Sequence, residues 1–204
     1  MSSIHDEWGQ PVLPGFEGEF PYQQKRGHGE GQTSSQSEDW YTHVSILECV
    51  ERLYGGQIDL DPMSCAEANQ MVNAKVYYTA EQDGLTRPWY GKMLWNPPWG
   101  GSDASSVKQR GVKKLLDAYN KNEVEQCVCV LNANALTTAW LAPLLDYPIC
   151  IPPKRIPHYS PGGGGGSPNS GTVIIYVGPY VWGFIEAFED LGKVLMDISY
   201  AEWA

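Results

Sequence analysis

Residues 92 to 99 have the sequence Lys-Met-Leu-Trp-Asn-Pro-Pro-Trp, a short apolar run that stops at two adjacent prolines. Residues 92–95 predict a brief β-strand, and Asn96-Pro97-Pro98 predicts a sharp turn directly after it, because proline cannot continue the ladder of a central strand. The same pattern occurs earlier, where the predicted strand at residues 57–60 meets Asp61-Pro62. Both turns should therefore project polar groups from strand ends onto one edge of a sheet.

The rest of the chain alternates predicted strands with predicted helices. Further strands are predicted at residues 75–79, 126–131, 149–151 and 172–177. Helices are predicted from an N-cap at Thr42 to Gly55-Gly56, and at residues 64–71, 107–118, 140–145 and 181–195. This alternation predicts an α/β fold with a mostly parallel sheet and helices on both faces. In such folds a ligand binds beyond the carboxyl ends of the strands.

Length and composition predict one folded domain. The chain has 204 residues, of which 42% are apolar, which is enough for one α/β core of ordinary size. Residues 1–38 are rich in Gly, Ser, Gln, Glu and Pro and poor in aliphatic residues. That composition is typical of a flexible or disordered tail, so we expect the folded domain to span residues 39–204.

Cysteine usage and hydropathy exclude several classes of protein. The five cysteines form no Cys-x-x-Cys pair and no His/Cys cluster, which argues against a disulfide framework and against a metal site. We find no apolar segment long enough to span a membrane and no secretory signal, so we expect no membrane partner and a cytoplasmic location. We expect a monomer.

The distribution of charge is uneven. The net charge of −10 would repel nucleic acid, yet residues 92–114 carry five basic side chains against one acidic side chain. This local excess directly follows the Asn-Pro-Pro turn. We predict DNA contacts by six basic residues, namely Lys108, Arg110, Lys113, Lys114, Lys154 and Arg155.

The turn at residues 96–99 suits chemistry on a planar amine. Such a nitrogen is a poor nucleophile because its lone pair is conjugated, and two acceptors aimed at its hydrogens would pull it towards tetrahedral geometry. The Asn96 side-chain oxygen and the Pro97 carbonyl can supply these acceptors, with Pro98 fixing the backbone. Trp99 offers a flat face for stacking a base. The alternative is that the tetrapeptide is only a rigid loop, since Asn and Pro are ordinary turn residues.

Several segments of the chain together resemble a known family. They are Trp40-Tyr41-Thr42, then Ile58-Asp59-Leu60-Asp61-Pro62 with Ser64 and Glu67-Ala68-Asn69, then Asp83-Gly84-Leu85, Trp89, Gly91 and Trp95-Asn96-Pro97-Pro98. In this order and spacing they resemble the phage-type, Dam-like DNA N6-adenine methyltransferases, which depend on S-adenosyl-methionine. The resemblance covers about residues 39–190 and is weaker after residue 128. It implies a Rossmann-like methyltransferase fold.

The resemblance also implies roles for individual residues. The catalytic corner would be Asn96, Pro97, Pro98 and Trp99. The S-adenosyl-methionine site would comprise Trp40, Tyr41, Thr42, Asp59, Asp61, Pro62, Met63, Ser64, Asp83, Gly84 and Leu85. Within this set, the carboxylates of Asp59 and Asp61 would lie on the methionine side, where a carboxylate can bind an ammonium. The carboxylate of Asp83 would bind the adenosine half.

Two departures and two alternatives accompany this interpretation. The family usually has Pro where this chain has His43, and often Tyr where it has Trp99, so the target pocket is expected to differ in shape. The same corner chemistry also serves cytosine N4, amines in RNA and amides in proteins. A second alternative is a nucleic-acid-binding module that keeps the fold without turnover.

Overall fold

The computed structural model describes residues 40–100, 104–159, 165–166 and 170–197, all within one structural unit. The predicted tail at residues 1–38 lies outside the described residues. The boundaries of the predicted domain at 39 and 204 also lie outside them. The domain division therefore stays a prediction.

Seven strands form the central sheet. In chain order they are β1 (Leu60–Asp61), β2 (Val76–Tyr77), β3 (Gly91–Trp95), β4 (Val124–Asn132), β5 (Ile149–Ile151), β8 (Thr172–Val177) and β9 (Lys193–Leu195). A separate two-stranded ribbon pairs β6 (His158–Tyr159) with β7 (Gly165–Gly166). The spatial order in the large sheet is β2-β1-β3-β4-β8-β5-β9.

The sheet is mixed, and the expectation of a mostly parallel sheet was wrong. Strands β2, β1, β3 and β4 pair in parallel, whereas the three remaining pairings, β4 with β8, β8 with β5 and β5 with β9, are antiparallel. The reversal arises because β8 lies between β4 and β5 and opposes both. The architecture is α/β and compatible with a Rossmann-like fold.

Helices cover both faces of the sheet, as the sequence predicts. They are α1 (Val44–Tyr54), α2 (Ala66–Val72), α3 (Ala104–Asn120) and α4 (Val181–Phe188). Residues of β4 alternate between the two faces: Val128 and Val130 pack with α1 and α4, whereas Cys127 and Cys129 pack with α3. This alternation explains why 126–131 appears as a continuous apolar run in the sequence, since both faces of the strand are buried.

Three helix predictions need correction. The last helix ends at Phe188 rather than at residue 195, and the chain continues into β9. Gly192, just before β9, lies so close to the Ile151 backbone that a side chain there would collide with it. The helix predicted at 140–145 is a single 3-10 turn at Ala142–Leu144. The N-cap of α1 is His43, whose Nδ1 accepts from the Ser45 backbone N–H, and not Thr42.

Strands β1 and β3 lie side by side and position the two predicted turns. Leu60 is in register with Met93 in a parallel pair, so the carboxyl ends of both strands reach the same sheet edge. Asp61-Pro62 and Asn96-Pro97 therefore leave the sheet next to each other, which confirms the expectation from the sequence. The segment before α1 joins this edge through an antiparallel bridge between Tyr41 and Tyr159.

Candidate active site

A cavity of about 540 Å³ opens at this sheet edge. Its size falls within the range of about 300–1,000 Å³ that is usual for small-molecule sites. Its lining residues are Trp40, Tyr41, Thr42, Asp61, Pro62, Met63, Ser64, Cys65, Ala68, Val72, Thr79, Ala80, Glu81, Asp83, Gly84, Leu85, Asn96, Pro97, Pro98, Val107 and Arg110. The structure thus brings together every residue predicted for the cofactor except Asp59, and every predicted catalytic residue except Trp99.

The Asn96 side chain is held in one orientation by three hydrogen bonds. Its Nδ2 donates to the Trp40 carbonyl at 2.7 Å and to the Thr42 hydroxyl at 3.1 Å, and its Oδ1 accepts from Trp99 Nε1 at 3.1 Å. A carbonyl cannot donate and an indole N–H cannot accept, so the amide cannot be flipped. An amide oxygen has two lone pairs, and this network uses one of them. The second acceptor position of Asn96 is left at the cavity wall.

Trp99 lies behind the cavity rather than on its surface. The residue is 7% exposed, and its ring meets that of His158 edge-on with 4.8 Å between the ring centroids. A base cannot stack on a ring that is covered in this way, so the predicted stacking role is corrected to a positioning role. The indole holds Asn96 Oδ1 in place. Trp40 and Tyr41 are the aromatic residues that line the cavity.

His158 links this corner to the segment before α1. Its Nδ1 lies 3.1 Å from the Tyr41 carbonyl, and its Nε2 lies 2.9 Å from the Thr172 hydroxyl. The carbonyl accepts only, so Nδ1 carries the proton and the Thr172 hydroxyl donates to Nε2. Burial lowers the pKa of His158 to about 4, which keeps the ring neutral at physiological pH. Sequence reasoning missed this residue, because its partners lie far away in the chain.

Asp61 is a buried carboxyl in the cavity wall. It is 3% exposed, and its Oδ1 accepts from the Met63 backbone N–H at 3.3 Å. Burial raises the pKa of Asp61 to about 6, against the opposing influence of Ser64 and the Met63 N–H. No basic residue contributes to this shift, so a cation entering the cavity would be the favourable partner that the carboxylate lacks.

Asp59 does not reach the cavity. Its Oδ1 lies 2.7 Å from Lys75 Nζ, and its Oδ2 accepts from the Lys92 backbone N–H at 2.9 Å. Although partial burial alone would raise it, the pKa of Asp59 is lowered by its contacts with Lys75 and Lys92. Gly91 allows the approach, because a side chain there would press on the Asp59 carboxylate. The residue joins the start of β1 to the starts of β2 and β3, and it does not line the cavity.

One part of the cavity wall is built around Gly84. A Cβ at Gly84 would overlap the Pro62 carbonyl oxygen, so only glycine lets the 84–86 turn lie against β1. Asp83 has a left-handed backbone with φ of 48°, and its Oδ1 accepts from the Leu85 N–H. The Asp83 carboxylate is exposed at the cavity rim. Its second oxygen remains available for a ligand hydroxyl or amine.

The basic residues predicted to bind DNA divide into exposed and buried ones. Arg110, Lys113, Lys154 and Arg155 are exposed, and Lys114 is partly exposed. Lys108 is only 8% exposed, and its ammonium donates to the Trp99 carbonyl at 3.0 Å. Its predicted phosphate contact is therefore corrected: Lys108 holds the backbone of the Asn96–Trp99 turn from the α3 side.

Other cavity residues had weaker sequence signals. Ala68 and Val72 are four residues apart on α2, so the helix period places them on one face, but that face could equally have met the core. Thr79 and Glu81 precede Asp83 in a polar stretch that resembles an ordinary turn. Their place in the wall depends on how α2 and β2 pack, which the local pattern does not determine.

Comparisons with known proteins leave the function to be argued from the site. A scan of protein-family models and a search of curated proteins gave no match to the chain. None of the helices in the described part of the chain is long and apolar enough to cross a membrane. Within residues 40–100, 104–159, 165–166 and 170–197, no three His, Cys, Asp or Glu side chains form a metal-binding group.

The opposite pKa shifts of Asp61 and His158 predict compensating effects on stability. Between pH 4 and pH 6 the folded state keeps a proton on Asp61 that the unfolded chain releases, so this group stabilises at low pH and its contribution is lost as the pH rises through 6. Folded His158 is neutral above pH 4 whereas the unfolded ring is protonated below 6.5, so its contribution is lost as the pH falls. Each effect amounts to about 3 kcal/mol.

Single substitutions of Asp61 and His158 should reveal the pH-dependent contribution of each residue to stability. Relative to the unmodified chain, Asp61→Asn should lose about 3 kcal/mol of unfolding free energy as the pH falls from 6.5 to 4, and His158→Gln should gain a similar amount. Urea unfolding across this pH range measures both differences. The exposed Asp146→Asn serves as the control. Differences from the unmodified chain that do not change with pH would contradict the buried state of either group.

Proposed function

We propose that this protein transfers a methyl group from S-adenosyl-methionine to the N6 amine of adenine in DNA. The observation that carries the proposal is the Asn96 amide, whose orientation is fixed by the Trp40 carbonyl and Trp99 Nε1 and whose second acceptor position remains at the cavity wall. This oriented amide lines the same cavity as the buried carboxyl of Asp61. The resemblance to the phage-type methyltransferases points to the same reaction.

The cavity suits S-adenosyl-methionine in charge and polarity. This molecule carries an ammonium and a sulfonium, and Asp61 is a buried carboxylate without a basic partner that could bind such a cation. Met63, Val72 and Leu85 supply apolar wall for the nucleoside, and Asp83 supplies a carboxylate at the rim. When bound, S-adenosyl-methionine supplies an electrophilic methyl group. Asp59 is not part of this proposal, because Lys75 and Lys92 occupy its carboxylate.

The residues of the corner would then prepare the amine. Asn96 Oδ1 accepts one N6 hydrogen, and the Pro97 carbonyl accepts the other, which concentrates the nitrogen lone pair. The N6–methyl bond would form as the methyl–sulfur bond breaks, with the sulfur keeping the bonding electrons, and the proton of the methylated amine would leave to solvent. Trp99 and Lys108 hold the corner from behind, through Asn96 Oδ1 and the Trp99 carbonyl respectively. The adenine must leave its helical stack to reach this depth.

Methyl labelling tests the proposal directly. The full chain is incubated with methyl-labelled S-adenosyl-methionine and, separately, with DNA, RNA and a protein mixture. We expect the label in DNA, and we expect to recover it as N6-methyl-2′-deoxyadenosine after digestion to nucleosides. Label recovered as N4-methylcytosine, or label only in RNA or protein, would replace the proposed substrate while keeping the reaction type. A chain that binds no S-adenosyl-methionine by calorimetry would refute the proposal altogether.

A further inference from the structure

A second groove of about 380 Å³ adjoins the cavity and shares Leu85 and Arg110 with it. Four basic side chains line it, Arg110, Lys113, Lys114 and Lys121, together with the acidic Asp117 and Glu123. We propose that this groove binds the phosphate backbone of the nucleic acid next to the base that enters the cavity. The inference rests on the proposed function, because that function names DNA as the ligand, but a binding measurement alone can test it.

The basic side chains follow α3. Lys113 and Lys114 come three and four residues after Arg110, so these three side chains share one side of the helix. Lys121 directly follows the last helical residue, Asn120, and its N–H still bonds the Asp117 carbonyl. At 1.5 Å per residue, Arg110 and Lys121 are about 16 Å apart along the direction of the helix. A B-form strand rises 3.4 Å per nucleotide, so this row matches roughly five nucleotides of backbone. The row begins with Arg110 at the cavity and leads away from it.

Trp89 forms the floor of the groove, and the basic side chains around it outnumber the acidic ones. Trp89 is 2% exposed, its Nε1 donates to the Gly84 carbonyl, and the Lys114 ammonium lies 5.7 Å from its ring centroid. Among the described residues, none of the four groove cations takes part in a salt bridge, since the salt bridge there joins Lys75 to Asp59. The groove keeps two more positive than negative side chains in a chain whose net charge is −10.

The local positive charge of the groove explains how a chain with a net charge of −10 could bind nucleic acid. A strongly acidic chain attracts phosphates only where basic side chains are concentrated, because interactions between exposed charges fade beyond a Debye length of about 8–10 Å. Leu85 and Pro88, which also line the groove, offer apolar surface for sugars. Lys121 lies beyond the basic segment at residues 92–114, and Lys108 is not part of the groove because its side chain is buried.

Charge reversal of the two exposed lysines, Lys113→Glu with Lys121→Glu, tests the proposal. Arg110 is left intact because it also lines the cavity. Binding of fluorescent single- and double-stranded oligonucleotides is measured by anisotropy over a salt series, and binding of S-adenosyl-methionine by calorimetry. We expect DNA affinity to fall at least about tenfold at low salt and the log–log salt slope to fall by about 2, with cofactor affinity unchanged. The neutral pair Lys113→Gln with Lys121→Gln should give an intermediate loss.

The matched control reverses an exposed lysine outside the groove, Lys193→Glu, and is compared with the single groove variant Lys121→Glu. DNA affinity and salt slope equal to those of the unmodified chain in the groove variant would overturn the proposal, as would an equal loss in the control. Absence of DNA binding by the unmodified chain, or binding of a polyglutamate peptide in place of DNA, would also overturn it. Groove-dependent DNA binding without methylation would support the groove and refute the proposed reaction, so the two failures are distinguishable.

Discussion

Asn96→Ala is expected to reduce methyl transfer by about 10²–10³, because one preoriented acceptor at the reacting nitrogen is worth this much in comparable sites. Binding of S-adenosyl-methionine should stay nearly unchanged, since the cavity wall around Asp61 and Leu85 does not depend on this amide. Single-turnover rates with labelled cofactor and calorimetric titration measure the two quantities separately. Retained activity above about a tenth would contradict the role of Asn96 as acceptor.

The alanine variant also removes three hydrogen bonds, so a second variant must separate acceptor loss from local disorder. Asn96→Asp keeps an oxygen towards Trp99 and the target amine but places an oxygen against the Trp40 carbonyl, where Nδ2 donates in the unmodified chain. If the acceptor matters, the aspartate variant should be more active than the alanine variant. If only the frame matters, both should be equally impaired. Asn134→Ala, at an exposed position, is the matched control.

The places of Asn96 and Asp61 could be predicted because each stands at the end of a strand and is directly followed by a proline. Parallel pairing of β1 with β3 then brings both turns to one edge, and this pairing follows from the predicted α/β alternation. The helices on both faces were predictable for a similar reason, since residues 126–131 are apolar on both sides of the strand. Local patterns were enough wherever the burial of a segment was set by its own periodicity.

Trp99, Asp59 and Lys108 show where local patterns were insufficient. Each has the residue type that its predicted role requires, yet each is turned to a different partner: Trp99 to His158, Asp59 to Lys75, and Lys108 to the Trp99 carbonyl. The choice between facing a ligand and facing the protein depends on neighbours that lie in other elements. The strand at residues 172–177 was predicted correctly, but its antiparallel direction was missed, and so was the strand β9. Neither the direction of a strand nor a short strand at the sheet edge leaves much trace in periodicity.

Asp61→Asn is expected to weaken binding of S-adenosyl-methionine by about 10- to 100-fold, the equivalent of a hydrogen bond to a charged group at roughly 1.5–3 kcal/mol. The asparagine has nearly the same shape, so the cavity keeps its volume and loses only the negative charge. Calorimetry at neutral pH measures the difference. The exposed Asp146→Asn, which does not line the cavity, should bind as the unmodified chain does.

The dependence of S-adenosyl-methionine affinity on pH tests whether the negative charge of Asp61 causes the loss of affinity in Asp61→Asn. Burial raises the pKa of Asp61 to about 6, so below this pH the empty site is protonated and a cation must displace that proton to bind. Affinity of the unmodified chain should therefore fall about tenfold for each pH unit below 6 and level off above it, with protons released on binding. The ligand ammonium stays charged below about pH 7.7, so it does not contribute to this slope. Asp61→Asn should show no slope between pH 5 and pH 6, because asparagine does not titrate, whereas an equal slope in both proteins would place the cation elsewhere.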